Sequence, residues 1–414
     1  MSDVTATTLS LPAARDSLHE VLRQGARKML AQAIEAEVAD WIETHAHVTD
    51  EQGRRQVVRN GYAHERKLVT PVGELDVRQP RVHDRRPEDQ REPFRSSLLP
   101  PYLRKTKSLE ELIPFLYLKG ISTGDFSEAL SAILGPGCPG LSATTVTRLK
   151  TVWEQEYKDW SRRSLEGAEY VYVWADGIHT NIRLEEDRQC LLVLMGATKD
   201  GKKERIALTD GHRESALSWK ELLLDVKRRG LAIEPKLAVG DGALGFWKAL
   251  AEVFPNTREQ RCWVHKTANV LDKLPKGKQP KAKSMLHEIW MSATKAEAET
   301  ALDAFVETYA AKSPRATGCL TKDRDVLLSF YDFPAEHWRH LRTTNPIEST
   351  FATIRLRHRR TKGSGSRTAS LTMMFKLAES AAKRWRLLGG SNLLPDVLQG
   401  VTFQNGLRLP RAAA

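Results

Sequence analysis

The sequence predicts an α/β protein whose strand-rich middle gives way to an all-helical stretch before the last helices, with further helical regions in front. Two observations predict it. At Glu169 the apolar pattern switches from helical spacing to alternation. After that point the elements read as three strands, helix, strand, helix, strand, and residues 265–338 then read as almost wholly helical. The 414 residues are about three times the commonest domain length, so more than one folded unit is expected.

Taken in order, Leu18, Val21, Leu22, Met29, Ala33, Val38, Trp41 and Ile42 recur at helical spacing and predict one or two amphipathic helices within 15–46. From Asp50 to Lys107 there are fourteen basic and nine acidic residues among many prolines. Lys67–Val77 alternates around Pro71-Val72-Gly73. This stretch predicts a basic linker holding one small hairpin. Residues 108–165 predict helix, turn, helix, with Ser142 capping a long helix through Trp160. Thr144, Thr145, Thr147, Arg148 and Lys150 fall in its first turns, where major-groove readers place side chains, although any helical hairpin gives the same pattern.

Strands follow at Tyr170–Ala175, Gly177–Leu184, Cys190–Ala197 and Glu204–Leu208, joined by Asp- and Gly-containing turns. A helix spans Glu214–Arg229, then come a strand at Lys236–Gly240, a helix at Ala243–Phe254, and a strand at Gln260–Val264. This order is that of a ribonuclease H-like core. The helical stretch is then an insertion placed before the last helix, which starts near Pro346.

Lys and Arg total 64 against 52 Asp and Glu, a net charge of +12, which points to a polyanionic partner. The excess is local: Arg339–Leu388 holds twelve Lys or Arg and two acids, Glu348 and Glu379. The longest apolar run, around Leu191–Ala197, is far short of the ~20 residues a membrane-spanning helix needs. No secretory signal pattern opens the chain, and the four cysteines lack framework spacing, so a cytoplasmic, reducing setting without disulfides is expected.

Asp176, in WADGIH, follows the first strand, and Asp241, in LAVGDGALGFW, follows Lys236–Gly240, the fourth strand of the ribonuclease H-like order. In a ribonuclease H-like sheet those strands are neighbours, so the two carboxylates project side by side. Adjacent carboxylates without a basic partner favour a hard divalent cation, Mg²⁺ or Mn²⁺ rather than zinc. Asp-Gly after a strand is also ordinary turn chemistry, and Asp210-Gly211 is a third such pair. Glu348, in RTTNPIESTFATIRLRHRRTKG, is the candidate third ligand. With Asn345 as N-cap and Pro346 at the first helical position it also satisfies a capping box. Arg355, Arg359 and Lys362 follow on the face that carries Glu348. The stripe suits phosphate binding, with Arg342 and Asn345 just ahead of it; a solvated face is the alternative.

Cys262 and His265, in CWVH, form half of a zinc pattern that His337 and His340 could complete, although no Cys-x-x-Cys supports it. Otherwise His265 stands near the acids and Cys262 packs in its strand. No Walker-type loop implies a nucleotide cofactor, and no Ser or Tyr constellation implies a covalent intermediate.

The strings RNGY, LPPYLRKTKSLEELIPFLYLKGISTGDFSEAL, WADGIH, KLAVGDGALGFWKAL, QRCWVHKTANVLDKLP, FPAEHWRHLRTTNPIESTFATIRLR and RTKG, in order across residues 15–405, closely resemble the mutator-type transposases of bacterial insertion sequences. The resemblance implies a ribonuclease H-like core with an Asp-Asp-Glu triad at Asp176, Asp241 and Glu348. It also implies Cys262 and His265 as the family's Cys-x-x-His, two Mg²⁺ or Mn²⁺ ions, binding to terminal inverted repeats and target DNA, and a homodimer or higher oligomer on double-stranded DNA. The expected organisation is an N-terminal arm (1–50), the basic linker (51–107), the helix-turn-helix region (108–165) and the first part of the core (166–264). The helical insertion (265–340), the last part of the core (341–405) and a tail (406–414) complete it. A structure-specific nuclease of ribonuclease H-like fold and a non-catalytic DNA-binding regulator are the rival readings.

Overall fold

A computed structural model of the chain describes residues 11–101, 103, 143–182, 189–211, 214–242, 244–347, 351, 366–383 and 385–410, with the backbone alone at 11–19, 143–147 and 244. The chain divides into two units, Met1–Leu149 and Lys150–Ala414.

In the first unit, a single helix, α1 (Leu11–Thr44), spans the stretch where one or two were expected. Strands β1 (Val57–Tyr62) and β4 (Pro80–Asp84) pair antiparallel, as do β2 (Arg66–Thr70) and β3 (Gly73–Val77). The β2–β3 pair is the hairpin predicted around Pro71. Its turn closes where the Thr70 hydroxyl donates to the Gly73 carbonyl at 2.8 Å, and Gly73 takes φ 105°, which favours glycine. Alternation in β3 turns Leu75 and Val77 inward with Leu68 against Ile34 of α1.

The stretch expected as a linker with one hairpin thus carries four strands up to Asp84. Its charge misled the reading because much of it is paired internally. Arg86 meets Asp84 at 2.7 Å, Arg66 donates to the carbonyls of Leu99 and Pro100, and Arg59 and Tyr62 of the RNGY string both reach Glu35 on α1, at 2.9 and 2.6 Å. Most of the predicted helix-turn-helix lies outside the described residues; of it, helix α2 (Ala143–Arg162) is described.

The second unit is built on β5 (Tyr170–Thr180), β6 (Gln189–Thr198), β7 (Lys203–Gly211), α3 (Ala216–Arg228), β8 (Leu237–Gly240), α4 (Leu244–Val253) and β9 (Arg258–Arg261). The sheet order is β7-β6-β5-β8-β9, antiparallel through β7, β6 and β5 and parallel through β5, β8 and β9. The predicted neighbourhood of the first and fourth strands is therefore present. Odd-numbered residues of β5, such as Val173 and Ala175, join Trp219 and Leu222 of α3 and Phe246 and Trp247 of α4 in one buried cluster. Even-numbered residues face the other layer. Tyr172 meets His337, the Trp174 indole donates to the His340 carbonyl at 2.9 Å, and Thr180 meets Ser370.

Helices α5 (Trp263–Leu271), α6 (Gln279–Met291), α7 (Lys295–Tyr309) and α8 (Pro314–Thr321) bear out the helical stretch, and α9 (Arg367–Ala382) follows. Gln260 on β9 and Trp263 both donate to the Leu327 carbonyl, fastening that stretch to the sheet edge.

Two boundaries differ from expectation. The strands predicted on either side of Asp176 are one continuous strand, because Asp176 and Gly177 stay in register with Val193 and Leu192 of β6. The Asp-Gly pair is not a turn there. The strand predicted at Gln260–Val264 ends at Arg261, and Cys262 is the N-cap of α5 rather than a strand residue. A short apolar run before a helix reads equally as strand or first turn.

Candidate acidic site

Ala175 pairs with Gly240 in the parallel β5–β8 ladder, so Asp176 and Asp241 occupy the next adjacent positions. Neighbouring strands lie about 4.8 Å apart, which brings the two acids side by side. Asp176 is 8% exposed. Burial pushes its carboxyl up to about 7, with Asp241 and Glu214 adding to the rise, while His265 and the Gly177 N–H, donating at 2.9 Å, oppose it. Asp241 is set by its own backbone. Its carbonyl accepts the Trp247 indole N–H at 2.7 Å and the Arg261 guanidinium at 3.2 Å, and that guanidinium lies 4.3 Å from the Trp247 ring centroid.

His265 stands in the first turn of α5. The Cys262 side chain, then Asp176 and Asp241, hold its imidazole up to about 9 against the effect of burial. The charges of the two nearby acids thus favour the protonated form of His265. Cys262 works differently. Its Sγ accepts the Thr344 N–H at 3.3 Å, and the neighbouring Trp263 N–H donates to the Arg342 carbonyl at 2.9 Å. These two bonds stitch the start of α5 to the segment that leads into Glu348.

Glu348, Arg355, Arg359 and Lys362 lie outside the described residues. Ahead of them, helix begins at Asn345 itself, after Thr344, so Asn345 is not the cap it was expected to be. A capping box counted from Thr344 reaches Ile347 rather than Glu348. Asn345 is exposed.

Arg342 lies over the rings of Phe330 (4.7 Å), Trp338 (5.2 Å) and Trp290 (5.7 Å), and its burial pulls its pKa down. Its guanidinium is thus packed among aromatic rings. Arg148 and Lys150 are exposed on α2, and the Thr144 side chain is outside the description.

The zinc pairing of Cys262 with His337 and His340 is absent. Tyr172 Oη and the Gly390 carbonyl occupy the two ring nitrogens of His337, each at 2.8 Å. His340 Nε2 accepts from Arg339 and Gly389, and burial beside Lys203 and Arg339 pushes it down to about 4.

Sequence reasoning missed Glu214, just before the Ser215 cap of α3. Burial and Asp241 raise its carboxyl, and His179 stands 3.5 Å from it. Gly177 was its signal: a Cβ there would collide with the Glu214 carboxylate. Cys190 lies in the same cluster, its thiol pushed up to about 12 by burial, Glu214, Asp210 and Asp176.

Fold and site together define an α/β protein that gathers acidic side chains where two parallel strands meet. The family model described as "Transposase, Mutator family" matches residues 3–387. The transposase for insertion sequence element IS6120 of Mycolicibacterium smegmatis is 52% identical over 303 residues, 73% of this chain and 93% of that protein. The transposase for insertion sequence element IST2 of Acidithiobacillus ferrooxidans is 51% identical over 280 residues, 68% and 95% of the two chains. Among solved structures, the Drosophila P element transposase strand transfer complex matches 70% of this chain and 85% of that one at 10% identity. Its TM-score of 0.28 is too low to argue from. The chain belongs to the Mutator family of transposases.

Proposed function

We propose that this transposase binds the terminal inverted repeats of an insertion sequence and carries out metal-dependent strand cleavage and strand transfer on a ribonuclease H-like core. The observation that carries the reading is the register of β5 and β8, which sets Asp176 beside Asp241 in a buried acidic centre. The donor chemistry fits a hard cation, because the groups gathered are carboxylate oxygens, and the Asp176 carboxyl is raised first by burial and then by Asp241 and Glu214, effects that a bound cation would offset. Asp176, Asp241 and Glu348 are the residues that hold two Mg²⁺ or Mn²⁺ ions. When bound, the ions supply activation of water and stabilisation of the attacking and leaving oxygens of an in-line displacement.

The chain's own residues do the rest. Arg261 and Trp247 fix the backbone of Asp241, and Cys262 fixes the approach to Glu348. Protonated His265 offers a positive charge to a phosphate beside the acids. Arg355, Arg359 and Lys362 grip phosphates along the helix that follows Glu348. Water cuts the phosphodiester at the element's end, and the freed 3′-hydroxyl attacks a second phosphodiester, with no covalent protein–DNA intermediate. The active form is a homodimer or higher oligomer on DNA in the bacterial cytoplasm. Among the described residues no helix is long and apolar enough to cross a membrane.

The test is cleavage and joining of labelled DNA carrying the repeats that flank the reading frame, with and without Mg²⁺, for wild type and Asp241→Ala. Metal-dependent cutting followed by joining, absent in the variant while repeat binding persists, is the expected result. Cutting that survives in Asp241→Ala overturns the assignment, and tight repeat binding without cutting under Mg²⁺ or Mn²⁺ returns the regulator reading.

A further inference from the structure

Beside the carboxylate pair, and built on the other face of β5, stands a cluster to which the proposed reaction gives no role. His179 and Cys190 are direct partners across the β5–β6 ladder. Cross-strand partners point to the same face, so imidazole and thiol converge. Glu214 comes from the loop before α3 and passes over Gly177, the one residue type that leaves room for its carboxylate. One donor atom from each of the three lies within 4.8 Å of the other two.

We propose that His179, Cys190 and Glu214 form a second metal site, for a thiophilic divalent cation of the zinc type. The donor set decides the metal class. A nitrogen, a sulfur and an oxygen suit Zn²⁺, whereas Mg²⁺ gains nothing from a thiolate. Position separates this site from the proposed catalytic one. Asp176 is even-numbered on β5 and shares its face with Trp174 and Thr180, while His179 is odd-numbered and shares the face of Val173 and Ala175. Access is present as well. Cys190 is buried, but the His179 side chain is 49% exposed, leaving a solvent-side approach and a fourth position for water. Binding takes the thiolate, so the Cys190 proton leaves to solvent as the sulfur–metal bond forms. The bound cation ties β5, β6 and the start of α3 together and draws the Glu214 charge away from Asp241.

The experiment uses the full chain, free of any affinity tag, stripped with a chelator and titrated with Co²⁺ as the probe. One equivalent should produce a near-ultraviolet thiolate-to-cobalt charge-transfer band that Zn²⁺ abolishes by competition. Cys190→Ser should lose the band, while Cys262→Ser and Asp241→Ala keep it. Because Cys190 is buried and its variant could fold poorly, His179→Ala provides the second test. That exposed change should weaken Co²⁺ binding by about tenfold or more. No band at one equivalent, a band that persists in Cys190→Ser, or Co²⁺ affinity unchanged in His179→Ala overturns the site. The readout involves no DNA, so it stands or falls apart from the cleavage reaction.

Discussion

Asp176-Gly177 and Asp210-Gly211 are the same dipeptide on strands of one sheet, and the structure gives them opposite surroundings. Asp210 receives the Arg367 guanidinium through two bonds, 2.8 and 2.9 Å long, which fasten α9 to β7. Asp176 is more deeply buried, and the charges of Asp241, Glu214 and His265 all act on it. One aspartate is paired by the fold, and the other is buried with two further acids near it. An acidic residue becomes a site through the charge around it, which the dipeptide does not encode.

The largest expected effect breaks the comparison at the chemistry. Asp176→Asn should lower Mg²⁺-dependent strand cleavage by about a thousandfold or more, equivalent to ~4 kcal/mol of transition-state stabilisation. Asp210→Asn should leave cleavage within about tenfold. Equal losses in initial-rate assays on repeat DNA would mean that the two aspartates are not distinguished by their surroundings.

Stability should divide the pair the other way. An acid whose folded pKa is raised binds its proton more tightly in the native state, so stability falls as pH rises from its unfolded value to its folded one. For Asp176 that window runs from about 4 to about 7. In chelator, Asp176→Asn should therefore be more stable than wild type above pH 7, by about 2 to 4 kcal/mol, with the difference vanishing toward pH 4. His265 adds a separate trend, since its stabilising charge is present below about 6.5 and is lost as pH passes 9. Asp210→Asn should instead destabilise by about 1 to 3 kcal/mol, because Arg367 loses its partner. Denaturant melts of the metal-free proteins across pH 4–9 read all three, and a wild type more stable at pH 7 than Asp176→Asn would refute the electrostatic account.

Much of this contrast was legible before any coordinates. Asp176 and Asp241 stood out because each follows an apolar run, and the order of elements placed those runs side by side. Glu214 did not stand out because no apolar run marks it. Its place depends on the absence of a side chain at Gly177, thirty-seven positions earlier, and on two strands lying between them. Cys262 was misplaced because Gln260–Val264 satisfies strand spacing and a helix start equally well, and the Arg342 carbonyl that receives the Trp263 N–H is distant in sequence. Arg342 itself was counted with the basic segment since its charge is visible in the sequence, whereas the cage of Trp290, Phe330 and Trp338 is drawn from three separate segments.

The smallest effect sharpens the same distinction among cations. A guanidinium that touches a phosphate releases about one counterion, so Arg355→Ala should reduce the slope of log affinity against log salt by roughly one unit, with similar losses for Arg359→Ala and Lys362→Ala. Arg342→Ala should leave that slope unchanged, because its charge is spent over aromatic rings, and should lower the melting temperature through lost packing. Fluorescence anisotropy on repeat DNA at several salt concentrations separates the two. A slope that falls in Arg342→Ala would put that residue on the DNA despite its cage, and one that stays fixed in Arg355→Ala would leave the basic stripe as solvated surface.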